Sequence, residues 1–271
     1  MALSDRVGFV DYLHARSQQE IPLEKDQLKT LPKIICSVLL LVGVCLSVEP
    51  TFAKEKTEIL RYEVSWNGNR AGHGDITMKT DSKMMSVTAQ AVSDGALKAL
   101  LEIWSRVQAT FSASTFLPES YRFHLKSNLL RSEVVDLAFD QKKKTVHVNK
   151  SKAEGVESHS EKSGGLHDPI SAVYLLRNQK DLDKPLFVDI YDGKDKARLF
   201  VYPEGPETVN VKAGCLSAVR MALRLERLGR EPKEIAKGKL WISNDENRIP
   251  LLLTSSPIVG TIRFELVHAQ M

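Results

Sequence analysis

Asp245 and Arg248 are the most suggestive pair of reactive side chains in the sequence, because they lie close together in a polar segment between two apolar stretches. A carboxylate and a guanidinium at this spacing could bind a polar ligand. An aspartate in such a segment more often accepts hydrogen bonds from the backbone amides that follow it, which fixes a tight turn. We therefore favour a turn at Asp245, with ligand binding as the alternative.

His73 has the most unusual surroundings of the histidines, since Gly72 and Gly74 flank it and would let a ligand approach closely. We favour a β-bulge or turn at this point. The other histidines after residue 54 are scattered, without the short regular spacing that is common in metal sites. The sequence contains no nucleophile elbow, zinc-protease motif, phosphate-binding loop or dinucleotide fingerprint. It therefore predicts no catalytic residue, metal or cofactor.

The composition is close to that of ordinary soluble proteins: of 271 residues, 42% are hydrophobic and 27% charged, and the formal net charge is +4. The one basic cluster, at Lys142, Lys143 and Lys144, follows Asp140 and is expected in a solvated hairpin turn, with contact to an anionic lipid head group as the alternative. A nucleic-acid-binding protein usually concentrates its basic charge in a larger patch, so we expect no nucleic-acid partner. Cys215 is the single cysteine after residue 53, which leaves no partner for an internal disulfide there.

Residues 34–48 form an uncharged apolar run that Lys29 and Lys33 precede. A membrane-spanning helix needs about 20 apolar residues, whereas the hydrophobic region of a signal peptide needs roughly 7–15. Small residues at 51 and 53 fit a signal-peptidase site, and the bulky Val44 before Cys45 argues against lipoprotein processing. We therefore predict cleavage between Ala53 and Lys54 and export to the periplasm. An uncleaved inner-membrane anchor is the alternative.

The division of the chain follows from this segment. Residues 1–33 form an unusually long N-terminal extension, for which we favour an over-extended reading frame over a genuine cytoplasmic extension. Residues 34–53 hold the signal-peptide hydrophobic region and the cleavage site. Residues 54–271 are expected to form a single β-rich domain, and membrane contact is expected only through the signal segment.

Apolar and polar residues alternate through most of residues 54–271, as in half-buried strands. Leu60, Tyr62, Val64 and Trp66 share one face of the first strand, and Asn67-Gly68 then signals a hairpin. The pattern predicts about 10–12 antiparallel strands. An open twisted sheet rarely exceeds about ten strands, so we predict a strongly curved sheet or a half-open β-barrel.

Two short helices interrupt the predicted strands. The first covers roughly residues 95–103, with a possible extension to Trp104. The second begins at Asp168-Pro169, where aspartate suits the N-cap and proline the first helical position, and ends at Arg177. We interpret Arg177 as a partner of the helix dipole. The polar residues 150–167 are predicted to form a mobile surface loop.

The ordered motifs of this domain resemble a bacterial envelope family catalogued as domain of unknown function 3108. The resemblance rests on these stretches: Leu60-x-Tyr62-x-Val64-x-Trp66-x-Gly68-x-x-x-Gly72, Phe139-Asp140, Asp168-Pro169-x-Ser171-x-x-Tyr174-Leu175-x-Arg177, Gly193-Lys194, Leu240-Trp241-x-Ser243-x-Asp245-x-x-Arg248-x-Pro250 and Gly260. It implies an exported protein of Gram-negative bacteria with a curved antiparallel half-barrel like that of periplasmic lipoprotein carriers. It implies no catalytic residue, substrate or cofactor.

Three functions are compatible with the sequence. The first is non-enzymatic binding or carriage of an apolar or amphiphilic envelope ligand such as a lipid, with Tyr62, Val64, Trp66 and Phe264 as candidate binding residues. The second is a structural or assembly role with an envelope protein partner. The third is an enzyme acting on cell-wall material, for which the candidate acids are Asp189, Asp192, Asp195 and Asp245. We rank them in this order.

Overall fold

The computed structural model of the chain describes residues 56–128, 132–153, 155–229, 232–255 and 261–271. The predicted signal segment and its cleavage site at Ala53 and Lys54 lie outside the described residues. The elements in chain order are β1 (Lys56–Trp66), β2 (Asn69–Thr80), β3 (Met84–Ser93), α1 (Gly95–Leu100), β4 (Ile103–Ser112), β5 (Pro118–Ser127), β6 (Glu133–Asp140), β7 (Thr145–Lys152), β8 (Gly155–Lys162), α2 (Pro169–Arg177), β9 (Leu186–Tyr191), β10 (Lys196–Val211), β11 (Gly214–Arg227), β12 (Lys233–Ser243), β13 (Pro250–Ser255) and β14 (Ile262–Gln270).

The strands form one 14-stranded sheet in the order β8-β7-β6-β5-β4-β3-β2-β1-β14-β13-β12-β11-β10-β9. Every neighbouring pair is antiparallel. All neighbours are also consecutive in the chain except β1 and β14, which pair at the centre of the sheet. The architecture confirms the predicted open, curved antiparallel sheet, with more strands than the alternation indicated.

The alternation of apolar and polar residues did not predict three of the strands, for different reasons. The predicted loop over residues 150–167 is wrong, because residues 150–152 complete β7 and residues 155–162 form β8, an edge strand exposed on both faces. The first helix ends at Leu100, so Ile103 and Trp104 begin β4. Strand β13 contains three consecutive leucines and shows no alternation. Strand β10 continues through Pro203 and Gly205 as a single strand, because a bulge between these two residues accommodates them.

The two ends of the sheet come close together without pairing. Lys196 at the start of β10 makes a 2.6 Å ion pair with Glu161 of β8. Between them the chain leading into α2 bonds to β9: the His167 amide donates to the Asp189 carbonyl, and the Tyr191 amide donates to the His167 carbonyl, both at 2.8 Å. The sheet therefore curls almost to a barrel, and the gap carries the start of α2.

Helix α2 packs on the inner face of the sheet, which is defined here as the face that this helix contacts. Its Tyr174 belongs to the apolar core of β2–β7, where its ring lies 5.5 Å from that of Phe111. Its Leu176 belongs to a second core, formed by β10, β11 and β12. The helix thus holds both halves of the curled sheet. Among the described residues, neither helix combines the length and apolar character needed to span a membrane.

Candidate functional site

The C-terminal end of α2 is anchored by a buried ion pair. Arg177 donates to both carboxylate oxygens of Glu58 on β1, at 2.8 and 2.6 Å. It also donates to the carbonyls of Asn247 and Arg248, each at 3.0 Å, and the Tyr174 hydroxyl adds a 3.3 Å hydrogen bond to Glu58. Burial is the largest single effect and opposes the charge on Arg177, but the hydrogen bonds to Glu58 together with the charge of Glu58 outweigh it and raise the pKa of the guanidinium. Arg177 therefore fixes the end of α2 to β1 and to the segment before β13. The interpretation of Arg177 as a partner of the helix dipole is incomplete.

The N-terminal end of α2 is capped as the sequence predicted. Asp168 Oδ1 accepts hydrogen bonds from the amides of Ile170 and Ser171, at 2.8 and 3.1 Å, and Pro169 occupies the first helical position. The side chain is fully buried, and Oδ2 has no hydrogen-bond partner among the described residues. Burial raises the pKa of Asp168.

Strand register arranges the inner face of β1–β7 in rows. The row beneath α2 is almost fully buried and comprises Glu58, Met78, Val87, Ala109, Tyr121, Leu137 and Val148. The next row comprises Leu60, Ile76, Ala89, Val107, Phe123, Val135 and Lys150. The third comprises Tyr62, Gly74, Ala91, Ser105, Leu125, Glu133 and Lys152.

Beyond the helix, the second and third rows form a strip of the inner face that we call the inner-face trough. It includes four small residues, Gly74, Ala89, Ala91 and Ser105. The last three, with Val107 and Phe123 beside them, are only half-buried. Both rows change from apolar to charged at the β6–β7 end, where they finish on Lys150 and Lys152. The trough therefore leads from an apolar floor to a cationic end.

At that end lies a cleft of about 590 Å³, a size within the usual range of small-molecule sites. Its apolar walls are Tyr121, Phe123, Val135 and Pro169. Phe123 and Val135 continue the second row, while Pro169 is the first residue of α2. The cleft is thus built between the sheet and the N-terminal end of the capped helix.

The mouth of the cleft is charged. Lys150 and Lys152 reach it from β7 and Lys194 from the β9–β10 turn, together with the carboxylates of Glu133 and Asp192. Asp192 Oδ1 is already occupied, because it accepts hydrogen bonds from the Lys194 and Asp195 amides at 2.8 and 2.9 Å. None of the three lysine ammonium groups forms an ion pair with another described residue. Within the described part of the chain, the cleft therefore holds three lysines without an ion-pair partner beside an apolar wall.

The four predicted binding residues lie near the trough but are not equally covered. Tyr62 belongs to the third row, is buried, and donates a 2.8 Å hydrogen bond to the Pro250 carbonyl. Burial raises its pKa. Val64 and Phe264 face each other across β1 and β14 and are half-buried, whereas Trp66 at the end of β1 is 37% exposed. Their binding role stays a prediction.

A second cleft, of about 1090 Å³, opens at the other end of α2 and is lined mainly by polar residues. Asp245 borders it, but its Oδ1 accepts hydrogen bonds from the Asn247 and Arg248 amides, both at 3.0 Å, and from Ser243 Oγ at 2.7 Å. This geometry confirms the predicted turn. Arg248 donates to the Lys180 carbonyl at 2.9 Å. The pair therefore shapes the cleft wall.

The aspartates considered as paired catalytic acids each have a structural partner. Asp189 receives two hydrogen bonds from Arg198, at 2.7 and 2.9 Å, and Asp195 is 3.1 Å from Arg227. Asp192 and Asp245 bind the amides of their own turns. In the described part of the chain, no group of three or more His, Cys, Asp and Glu side chains is placed to hold a metal ion.

His73 lies within β2, beside a register shift between β1 and β2 at Val64, in agreement with the predicted bulge. Its Nδ1 is 3.0 Å from Asp94, which also receives two hydrogen bonds from Arg70. These hydrogen bonds, first that from Arg70 and then that from His73, lower the pKa of Asp94 to about 2. The group lies on the surface and has no adjoining cavity among the clefts described above.

Lys150, Lys152 and Glu58 were missed as functional or anchoring residues. The two lysines fell within the predicted loop, although Val146, Val148, Lys150 and Lys152 continue a period of two that indicates one strand face. Glu58 precedes the first apolar residue of the β1 pattern, and nothing local indicates its partner on α2.

Comparison with solved structures supports the fold. A β-barrel-like protein of domain of unknown function DUF1849 from Brucella abortus matches with a TM-score of 0.51 and 13% sequence identity, over 79% of this chain and 97% of that one. A protein with a YmcC-like fold from Bacteroides fragilis matches at 10% identity over 81% and 98% of the two chains, with a TM-score of only 0.34. The curated proteins contain no match to the sequence.

The family comparison agrees with the resemblance found in the sequence motifs. The model of the DUF3108 family, described as "Protein of unknown function", matches residues 61–267. This range includes all described strands from β2 to β13, both helices and the whole cleft at the end of the trough. The chain therefore belongs to the DUF3108 family.

Proposed function

We propose that this chain is an exported protein of the Gram-negative periplasm that binds or carries an amphiphilic envelope ligand on the inner face of its sheet, without catalysing a reaction. The single observation that carries the proposal is the inner-face trough with its cleft. A largely apolar strip that ends at lysines for which the described chain offers no ion-pair partner suits a molecule with an apolar chain and a polar head.

The dimensions of the trough suit an acyl chain. Neighbouring strands are about 4.8 Å apart, so the distance from β2 to β6 along a row is roughly 19 Å. The small side chains of Gly74, Ala89, Ala91 and Ser105 leave the floor low along part of this path. Ligand pockets are mostly apolar with a few polar groups that fix orientation, and the trough and cleft together have this character.

The proposal is tested by titrating the folded domain with a fluorescent acyl-chain probe whose fluorophore is uncharged. We expect saturable binding. Ala91→Phe raises the floor of the trough and is expected to weaken binding at least tenfold, since each 1.4 kcal/mol of lost affinity is about tenfold in Kd. Val64→Asp places a charge beside the apolar inner face and should weaken binding as well.

Ser65→Asp is the matched control for Val64→Asp, because it adds the same charge one position along β1, where the side chain points to the opposite face. Circular dichroism and thermal unfolding verify that each variant is folded. A folded wild-type domain that shows no saturable binding and yields no extractable lipid would contradict the proposal.

A second candidate, assembly with another envelope protein, is favoured by the surface of β9–β11. Phe187 is 59% exposed and Tyr202 39% exposed, and the Phe200 ring lies between them at 6.4 and 6.2 Å. Arg198 stacks on Phe187, and Arg224 on Phe200. Aromatic residues and arginine are enriched at protein interfaces. This surface becomes the better candidate if the acyl probe does not bind.

A further inference from the structure

The polar end of the ligand can be assigned from the charges at the cleft. We infer that the amphiphile carries an anionic head group, which Lys150, Lys152 and Lys194 bind while the chain lies on Phe123 and Val135. The inference rests on the proposed function and specifies its ligand class.

Some other lysines of the sheet form ion pairs. Nearby Lys196 is paired with Glu161 at 2.6 Å, and Lys212 at the end of the β10–β11 hairpin is paired with Glu63 at 2.5 Å. Lys150, Lys152 and Lys194 have no such partner among the described residues, although Glu133 and Asp192 line the same cleft. The lining therefore has one excess positive charge, and three ammonium groups have free hydrogen-bond donors.

The backbone holds these donors in a convergent arrangement. Lys150 and Lys152 are two residues apart on β7 and therefore point to the same face. Lys194 reaches the same cleft from the β9–β10 turn, which Asp192 closes through its hydrogen bonds to the amides of Lys194 and Asp195. Gly193 in this turn packs so tightly on β6 that a Cβ there would overlap Val135 Cγ1. The third lysine is thus placed opposite the other two by a packed turn.

The apolar wall distinguishes an amphiphile from a simple anion. Val135 is the cross-strand neighbour of Lys150, and Phe123 is the next residue in the same row, so a head group bound by the lysines lies beside apolar side chains. A free phosphate would leave the half-buried Phe123 side chain in contact with water. An anionic amphiphile can satisfy the lysines and cover the wall together.

The test uses displacement of the uncharged acyl probe from the mature domain by three competitors: dodecyl phosphate, dodecyl maltoside and inorganic phosphate. The two dodecyl compounds have the same chain and are used below their critical micelle concentrations. We expect dodecyl phosphate to displace the probe at a concentration about tenfold lower than dodecyl maltoside, which corresponds to about 1.4 kcal/mol. Inorganic phosphate alone should not displace it at these concentrations.

Lys150→Gln, Lys152→Gln and Lys194→Gln combined should abolish the advantage of dodecyl phosphate, so that it displaces the probe no better than dodecyl maltoside does. The matched control combines Lys142→Gln, Lys143→Gln and Lys144→Gln, which removes the same charge from the exposed β6–β7 turn. This control should keep the advantage of dodecyl phosphate.

Each outcome separates the inference from the proposed function. If both dodecyl compounds bind equally well to the wild type, the domain binds amphiphiles but the anionic head group is wrong. If inorganic phosphate competes as well as dodecyl phosphate, the lysines form a simple anion site and the inference is overturned. If the two triple variants lose the preference for dodecyl phosphate equally, the preference arises from the net charge of the protein and not from the cleft. If the probe itself does not bind, the proposed binding function is wrong, whatever the head group.

Discussion

Asp168 illustrates how much a single residue can reveal when its role is local. Its capping geometry was predictable, because an aspartate before a proline at the first helical position has few other uses. Its complete burial was not predictable, since the covering residues come from distant strands. Cap and burial have opposite effects: the cap hydrogen bonds favour the ionised carboxylate, and burial disfavours it.

Replacing Asp168 should separate these two effects. Asp168→Ala removes both cap hydrogen bonds and is expected to lower the free energy of unfolding by about 0.5–2 kcal/mol. Asp168→Asn keeps an accepting oxygen and serves as the control. Urea denaturation measures both, and an unchanged midpoint and slope for the alanine variant would refute the capping role.

The wild type and Asp168→Asn together test the raised pKa of Asp168. The folded protein holds this proton to a higher pH than the unfolded chain does, so stability falls as the pH rises above the ordinary aspartate value of about 4. Asp168→Asn has no such loss. The wild type is therefore expected to lose stability relative to the asparagine variant as the pH increases from 4 towards the folded-state pKa. A difference that stays constant over this range would contradict the burial effect.

The anchor between Arg177 and Glu58 shows the limit of local reasoning. These residues are far apart in the sequence, and their pairing depends on α2 lying across β1. A side chain at the end of a helix has a sufficient local explanation in the helix dipole, so the sequence offered no reason to look further. The lysines of the cleft were missed for another reason, because a polar composition was taken to indicate a loop.

At the scale of elements, alternation identified the strands that have one buried face and failed where that condition does not hold. Strand β8 is exposed on both faces, because it is the edge of the sheet, and therefore has no apolar face to recognise. Strand β13 has consecutive buried leucines. The sequence predicted that the sheet is curved but not the order of its strands, since the pairing of β1 with β14 depends on contacts between the two ends of the domain.

The β9–β10 turn packs against β6. Gly193 has a φ of +89°, and a Cβ at this position would overlap Val135 and lie 3.1 Å from Leu137 Cδ2. Gly193→Ala should therefore destabilise the fold through backbone strain and through overpacking, of which the second costs about 1–3 kcal/mol.

Gly165→Ala is the matched control for this prediction. Gly165 has a φ of +85°, and nothing lies within 4 Å of a Cβ built there. It shares the backbone strain but not the overlap, so the difference between the two unfolding free energies isolates the packing of the turn on β6. Equal losses in the two variants would mean that the turn does not press on β6. Gly193→Ala should also change the shape of the cleft, because the same turn carries Lys194.

At the scale of the whole molecule, the curled sheet and α2 depend on each other. The sheet is too long to remain flat, and its edges β8 and β9 do not pair, so the segment before α2 and the helix itself complete the enclosure. The helix covers the row beneath it and leaves the trough beyond it half-covered. A fully closed barrel would need no such helix, and a fully filled interior would have no trough. The binding proposal depends on this intermediate architecture.

Export is the remaining property of the whole molecule that the binding proposal requires, because an envelope ligand is met outside the cytoplasm. The apolar run at residues 34–48 has the length of a signal-peptide hydrophobic region, and Ala53 provides the small residue that a signal peptidase requires before the cut. We expect intact-mass analysis of protein from the envelope fraction to find a mature N-terminus at Lys54. Ala53→Leu should block processing and leave a heavier species, whereas Ala2→Leu should not. A wild-type protein that retains residues 34–53 would instead indicate an uncleaved membrane anchor.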